Sequence, residues 1–167
     1  MKFVLSLILA FSCPSTVFAA LQPDLRISYR FAAAAVRHPS GHYLVPVDVT
    51  VVNGGNEIAG RFKIAAQYSH VSFSGFLETT VSSLRTSDGS FTSDGHYTWT
   101  TRALFPGRTS TFRASILVPK AIPRGATVYF RFNADSCAGD EFMPYFCRVQ
   151  ESEESNNFSL TKSIVLP

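Results

Sequence analysis

The stretch Tyr43–Asn53, YLVPVDVTVVN, has a period-two pattern that is clearest from residue 47 to residue 51. Its odd-numbered residues from 45 to 51 are all valine, whereas Asp48 and Thr50 occupy even-numbered positions. Successive side chains of a β-strand point to opposite faces of its sheet, so this pattern predicts a strand with one buried face. It does not match the period of a helix, and it therefore sets the structural class of the surrounding chain.

Five further stretches show the same alternation and are rich in β-branched and aromatic residues, as strands are. They cover residues 25–31, 60–69, 110–119, 126–134 and 158–166. Turn sequences containing glycine or proline separate them, including NGGNEIAG, FPGR and IPRG. Many short strands with regular turns and almost no helical pattern predict an all-β fold, an antiparallel β-sandwich.

The N-terminus, MKFVLSLILAFSCPSTVFAA, has the organisation of a secretory signal peptide. A lysine precedes a short apolar run, and small residues before Ala20 match a cleavage site after residue 19. The run is shorter than the roughly 20 residues of a membrane-spanning helix, so no transmembrane segment is predicted. Cys13 offers lipid attachment as an alternative, but its neighbours match that signal less well. We therefore expect residues 20–167 to be secreted, periplasmic or at the cell surface.

The mature segment, residues 20–167, has the length of one domain and carries 14 basic and 12 acidic residues. Its basic residues lie on several strand segments rather than in one stripe, so nucleic acid is not predicted as a partner. The acids are less evenly spread. Residues 135–154 contain six acids and only one arginine.

Two cysteines remain after cleavage, Cys137 and Cys147. In an oxidising compartment, an isolated pair is most simply a disulfide, and closing this loop contributes about 3 kcal/mol in the chain-entropy model. No histidine lies between or beside them, which disfavours a zinc site.

Two stretches interrupt the strand rhythm, near residues 70–98 and 136–150. The first contains the repeat TSDGSF–TSDGHY, which predicts successive tight turns because Asp-Gly favours them. The second contains an aromatic and methionine-bearing loop between the cysteines, and its exposure would suit an extracellular protein or carbohydrate partner. Alternatively, these side chains cover the open end of the sandwich. The candidate contact residues are Phe142, Met143, Tyr145 and Phe146.

Acidic and amide side chains are concentrated in ESEESNN, residues 151–157, just before the last predicted strand. Calcium takes six to eight oxygen ligands from such groups, so a calcium site is one interpretation. The candidate ligands are Asp135, Glu151, Glu154, Asn156 and Asn157. The alternative is structural: asparagine and serine side chains bond to nearby backbone and set where the last strand begins, while the glutamates face water or pair with arginines.

Four segments in this order resemble the CARDB family, the cell-adhesion-related domains found in bacteria. They are PDL at residues 23–25, VPVDVTVVNGGNEIAGRFKIAAQYS, LFPGRTSTFRASILVP, and FNADSC followed by VQESEESNNFSL. The resemblance covers about residues 22–166, and ESEESNN is its most specific part. It implies an immunoglobulin-like sandwich of about seven strands that serves as an adhesion-related or accessory module, with no activity assigned to the fold.

Catalytic signatures are not evident in the sequence. It contains no Gly-x-Ser-x-Gly elbow, no phosphate-binding glycine loop and no His-Glu-x-x-His pair. His38 and His42 have a spacing seen in metal sites, but no third ligand is evident. We therefore expect a secreted, non-catalytic binding or adhesion module rather than an enzyme. The alternatives are a calcium-stabilised structural domain and a small hydrolase of unfamiliar type.

Overall fold

The structure is a computed structural model that describes residues 21–71, 75–86, 91–93, 98–136 and 147–167. The predicted signal peptide, Cys137 and the four loop residues Phe142, Met143, Tyr145 and Phe146 lie outside the described residues. None of the helices in the described part is long and apolar enough to cross a membrane.

The described residues form eleven strands and one short 3₁₀ turn, Glu154–Asn156. In chain order the strands are β1 (Leu25–Phe31), β2 (Val36–Arg37), β3 (Tyr43–Asn53), β4 (Lys63–Ser69), β5 (Leu77–Glu78), β6 (Val81–Thr86), β7 (Phe91–Ser93), β8 (Thr98–Thr101), β9 (Thr109–Val118), β10 (Thr127–Ala134) and β11 (Lys162–Val165).

These strands form two antiparallel sheets. One has the order β1-β3-β9-β6, with β2 paired to β3, and the other has the order β11-β10-β4-β8-β7, with β5 paired to β4. Strands β1, β3, β9 and β6 match the four-stranded sheet of an immunoglobulin-like sandwich, and β4, β10 and β11 match the three-stranded sheet. The predicted fold class is therefore confirmed. The predicted seven strands form the frame, and β2, β5, β7 and β8 are additional.

The predicted alternation in β3 corresponds to its burial. The four valines at positions 45 to 51 are fully buried, and the side chains between them are partly exposed. These valines belong to the same hydrophobic core as Phe130 and Phe132 of β10, which are also fully buried. A polar contact joins the sheets, because the Tyr29 hydroxyl on β1 donates to the carbonyl oxygen of Phe130 at 2.7 Å and accepts from the backbone nitrogen of Lys162 at 3.0 Å.

The serine- and threonine-rich stretch between β4 and β9 contains strands in its described residues. It contributes β6 to the first sheet and β7 and β8 to the second. Both Asp-Gly pairs of its repeat lie outside the described residues, so the predicted tight turns there remain a prediction.

Candidate functional site

The five predicted ligand residues lie at one end of the sandwich. Asp135 follows the last residue of β10, and the other four belong to residues 147–157, which we call the connection segment. The same end holds the start of β1 and the end of β3, since Leu25 pairs with Asn53. The fold therefore brings the start of β1 against a segment more than 120 residues away, as the bond between Leu25 and Glu151 shows.

Asp135 anchors the beginning of the connection segment. Its carboxylate accepts hydrogen bonds from the backbone nitrogens of Arg148 at 3.1 Å and Val149 at 2.9 Å. Its φ of 52° lies in the left-handed region that aspartate tolerates better than most residues. Burial raises the pKa of Asp135 to about 6, although these two backbone bonds oppose the rise.

Glu151 ties the connection segment to β1. It is 5% exposed, and its Oε2 accepts a hydrogen bond from the backbone nitrogen of Leu25. Burial raises the pKa of Glu151 to about 8. The bond from Leu25 and the nearby Asn157 side-chain amide oppose that rise in pKa, whereas the charges of Glu154 and Asp135 add to it.

Glu154 and the two asparagines complete the segment. Glu154 Oε1 accepts from the backbone nitrogen of Glu151 at 3.0 Å, and its Oε2 accepts from Asn157 Nδ2 at 3.4 Å. The Asn157 carbonyl oxygen accepts from the backbone nitrogen of Ala134 at 2.9 Å, which holds the segment beside β10. The side chain of Glu153 caps the 3₁₀ turn by accepting from the backbone nitrogen of Ser155 at 3.0 Å.

Two residues at this end were not among the predicted ligands. Asp24 is buried, and its Oδ1 accepts from Asn156 Nδ2 at 2.7 Å while its Oδ2 pairs with Arg26 at 2.6 Å. Asn53 is fully buried, and its side chain bonds to the backbone of Asp24, Gly55, Glu57 and Leu104. A signal for Asn53 exists in the sequence, because it continues the odd-numbered valine positions and so must face the core.

The five predicted ligand residues therefore lie together, and their carboxylates mainly accept hydrogen bonds from backbone nitrogens. Asp135, Glu151 and Glu154 each accept at least one backbone N–H. The structural interpretation of ESEESNN expected its glutamates to face water or pair with arginines, and this was wrong for Glu151, which is buried against β1. The asparagine side chains were expected to bond to backbone, but they donate to the carboxylates of Asp24 and Glu154 instead. The described part of the chain contains no group of three or more His, Cys, Asp or Glu side chains placed to hold a metal ion.

Three buried oxygen atoms of the connection segment have no hydrogen-bond partner: Glu151 Oε1, Asn156 Oδ1 and Asn157 Oδ1. Buried polar atoms are usually satisfied, so this set needs a proton, a water molecule or a cation. All three are the kind of oxygen that calcium accepts as a ligand. The segment therefore supplies amide and carboxyl oxygens of the chemical type that calcium binds.

His38 and His42 do not form a metal site with other described residues. Both Nδ1 atoms contact the hydroxyl of Ser40, at 2.8 and 3.1 Å, in an exposed loop between β2 and β3.

No protein-family model matches the chain, and no curated protein matches it in sequence. Among solved structures, it is similar to a CARDB domain from Pyrococcus furiosus that was crystallised in complex with di-metal ions. The two share 15% sequence identity and a TM-score of 0.51, over 87% of this chain and 90% of that domain. The chain has the fold of a CARDB domain. The predicted resemblance to that family is therefore confirmed at the level of the fold.

Proposed function

We propose that this chain is an exported, non-catalytic binding module of the CARDB type that works at or outside the cell surface. The observation that carries this proposal is the CARDB sandwich itself, which extends over 87% of the chain. Sandwiches of this architecture present their loops at the two ends of a rigid frame, where binding residues are commonly placed. The signal-type N-terminus adds the expectation of export.

The loop bearing Phe142, Met143, Tyr145 and Phe146 is the proposed contact with an extracellular protein or carbohydrate. Its two ends are held at the sandwich end, which supports this role. The backbone nitrogen of Ser136 donates to the carbonyl of Lys63 at 2.9 Å, and Asp135 holds the backbone of Arg148. The proposed Cys137–Cys147 disulfide would close the same loop.

Export is tested by expressing the full chain with a C-terminal tag in a bacterial host and sequencing the N-terminus of the product. We expect the tagged protein outside the cytoplasm, beginning at Ala20. A Cys13→Ala variant serves as the control, since a lipid-anchored protein would no longer be processed and a freely secreted one would. Retention of the uncut chain in the cytoplasm would refute the export part of the proposal.

Binding is tested with the exported protein on whole cells and on arrays of surface polysaccharides and matrix proteins. Phe142→Ala and Tyr145→Ala should weaken binding and leave the thermal midpoint unchanged. If both variants instead lower the midpoint sharply, the loop covers the sandwich end and is not the contact surface.

A second candidate is a calcium-stabilised domain in which the connection segment serves the fold. The three unpartnered buried oxygens favour it, and the similar Pyrococcus furiosus domain was crystallised with di-metal ions. Glu151, Asn156 and Asn157 would hold the ion, with Glu154 and Asp135 nearby, and the ion would supply positive charge to a buried acidic segment. An ion at 100 times its Kd raises stability by about 2.7 kcal/mol. Equal melting midpoints in millimolar calcium and in a chelator would exclude this candidate.

A further inference from the structure

The outer face of the first sheet carries a row of charged side chains that the sequence does not place together. Four residues on four neighbouring strands are successive partners in register: Arg30 on β1, Asp48 on β3, Arg113 on β9 and Arg85 on β6. They are far apart in sequence and become neighbours only through strand pairing. We call them the arginine row.

Asp48 orients two of the three arginines. Its Oδ2 accepts from Arg30 Nη2 at 2.9 Å, and its Oδ1 accepts from Arg113 Nε at 2.7 Å. The hydrogen bond and charge of Arg113, followed by those of Arg30, hold the pKa of Asp48 below its usual range. The side chains of Arg30 and Arg113 remain 77% and 62% exposed, so their other N–H groups face solvent.

Arg85 adds a positive charge that Asp48 does not balance. It lies directly opposite Arg113 in the pairing of β6 with β9, where like charges are unfavourable. Among the described residues, no carboxylate forms an ion pair with Arg85. The row therefore combines three guanidinium groups and one carboxylate, a net charge of +2, and a bound anion would relieve the repulsion between Arg85 and Arg113.

An open groove of about 540 Å³ lies along the row. Its lining also includes the hydroxyl-bearing residues Thr50, Thr86 and Thr111. The row crosses three inter-strand spacings of about 4.8 Å, so its charges extend over about 14 Å. This length suits a chain of repeated anionic groups better than one small anion.

We propose that this groove binds an anionic polysaccharide through carboxylate or sulfate groups seated on Arg30, Arg85 and Arg113. Arginine presents a planar fork of N–H donors that matches such oxyanions, and the threonine hydroxyls suit the hydroxyl groups of sugars. The inference deepens the proposed function, on which it rests, by naming the class of partner. It concerns a sheet face and does not involve the loop proposed above as a contact.

Two other polyanions fit the groove less well. A lipid surface would call for exposed apolar side chains beside the cations, and none of the exposed large hydrophobic residues of the described part lines the groove. Single-stranded nucleic acid would call for an aromatic stacking platform. Phe112, the aromatic residue of the lining, is 4% exposed and belongs to the core.

The test compares the exported chain with two double variants that lose the same charge. The groove variant, Arg85→Gln with Arg113→Gln, removes two of the three guanidinium groups that line the groove. The control variant, Arg61→Gln with Arg124→Gln, removes two exposed arginines that do not line it. Binding is measured on immobilised heparin, alginate and neutral dextran at several salt concentrations. We expect salt-sensitive binding to heparin or alginate and none to dextran. The groove variant should bind about tenfold more weakly or worse, and the control should bind like the wild type.

Equal losses in both double variants would overturn the proposal, because net charge alone would then explain binding. Binding to neither glycan would also overturn it, as would binding only to phosphatidylglycerol vesicles or only to single-stranded DNA. Thermal midpoints check folding, and the single variant Arg85→Gln keeps the test valid if the loss of the Asp48–Arg113 bonds unfolds the sheet. If the protein is exported and the groove variant binds cells as well as the wild type does, this inference is wrong and the proposed function is unaffected. A chain retained in the cytoplasm would instead refute the export part of the proposed function, whatever the result of the glycan-binding assay.

Discussion

Glu151 makes the stability of this protein depend on pH in the direction opposite to that of most acidic side chains. Its pKa rises from 4.5 to about 8 in the folded state, chiefly because burial disfavours the charged form. The stabilisation from a raised pKa is fully present below pH 4.5, where both states are protonated. It falls as pH rises, because the unfolded chain ionises first, and it is lost once pH passes about 8.

The size of the effect follows from the two pKa values. Ionising a carboxyl shifted that far costs the fold on the order of 5 kcal/mol. Local release of the connection segment from β1 would relieve part of this cost, since only the bond from Leu25 and the contacts near it must open. We therefore expect a measured loss of about 2–4 kcal/mol between pH 4.5 and 8.5, a large share of a typical total stability.

Glu151→Gln isolates this contribution. Glutamine keeps a carbonyl oxygen that accepts from the backbone nitrogen of Leu25, but it cannot ionise. The variant should match the wild type at pH 4.5 and exceed its stability at pH 8.5 by about 2–4 kcal/mol. Urea denaturation followed by circular dichroism, in buffer containing a chelator, measures both curves. The exposed Glu57→Gln is the matched control and should follow the wild type. Parallel curves for wild type and Glu151→Gln would refute the reasoning.

Three further variants test other contacts by the same denaturation assay at pH 7. Asp135→Asn should keep nearly the wild-type free energy of unfolding, because asparagine tolerates a φ of 52° and its side-chain oxygen still accepts from the backbone of the connection segment. Asp135→Ala should lose about 3 kcal/mol of that free energy, because the backbone N–H groups lose their acceptor. Equal losses in the two variants would contradict this reasoning. Tyr29→Phe should lose about 1–3 kcal/mol, because the carbonyl of Phe130 and the N–H of Lys162 lose their buried partner, and an unchanged midpoint would be inconsistent with that bond. Gly55→Ala should lose at least about 2 kcal/mol of unfolding free energy, since its Cβ would lie 2.6 Å from the backbone nitrogen of Asp24. Gly60→Ala is the control, because its Cβ meets nothing within 4 Å. The two variants should differ clearly in stability.

Most strands of the two sheets were predictable, because the alternation of side chains within a strand indicates which of them are buried. The four odd-numbered valines of β3 and the two phenylalanines of β10, Phe130 and Phe132, fall on alternate positions, and those positions are buried. The same alternation placed Asn53 on the core face, although its role in holding four backbone groups at the sandwich end became clear only in the fold. Strands β6 to β8 were less predictable, because serine- and threonine-rich segments with glycine also favour turns.

The sequence by itself determined the class of fold, the faces of the main strands and the gathering of acids and amides before the last strand. Only the tertiary structure decided which backbone groups the acids bind and which arginines become neighbours. The reason is physical: alternation specifies the face on which a side chain lies, but its neighbours across the sheet depend on strand order and register. Arg30, Arg85 and Arg113 are scattered along the chain, and the pairing of β1, β3, β9 and β6 alone aligns them beside Asp48.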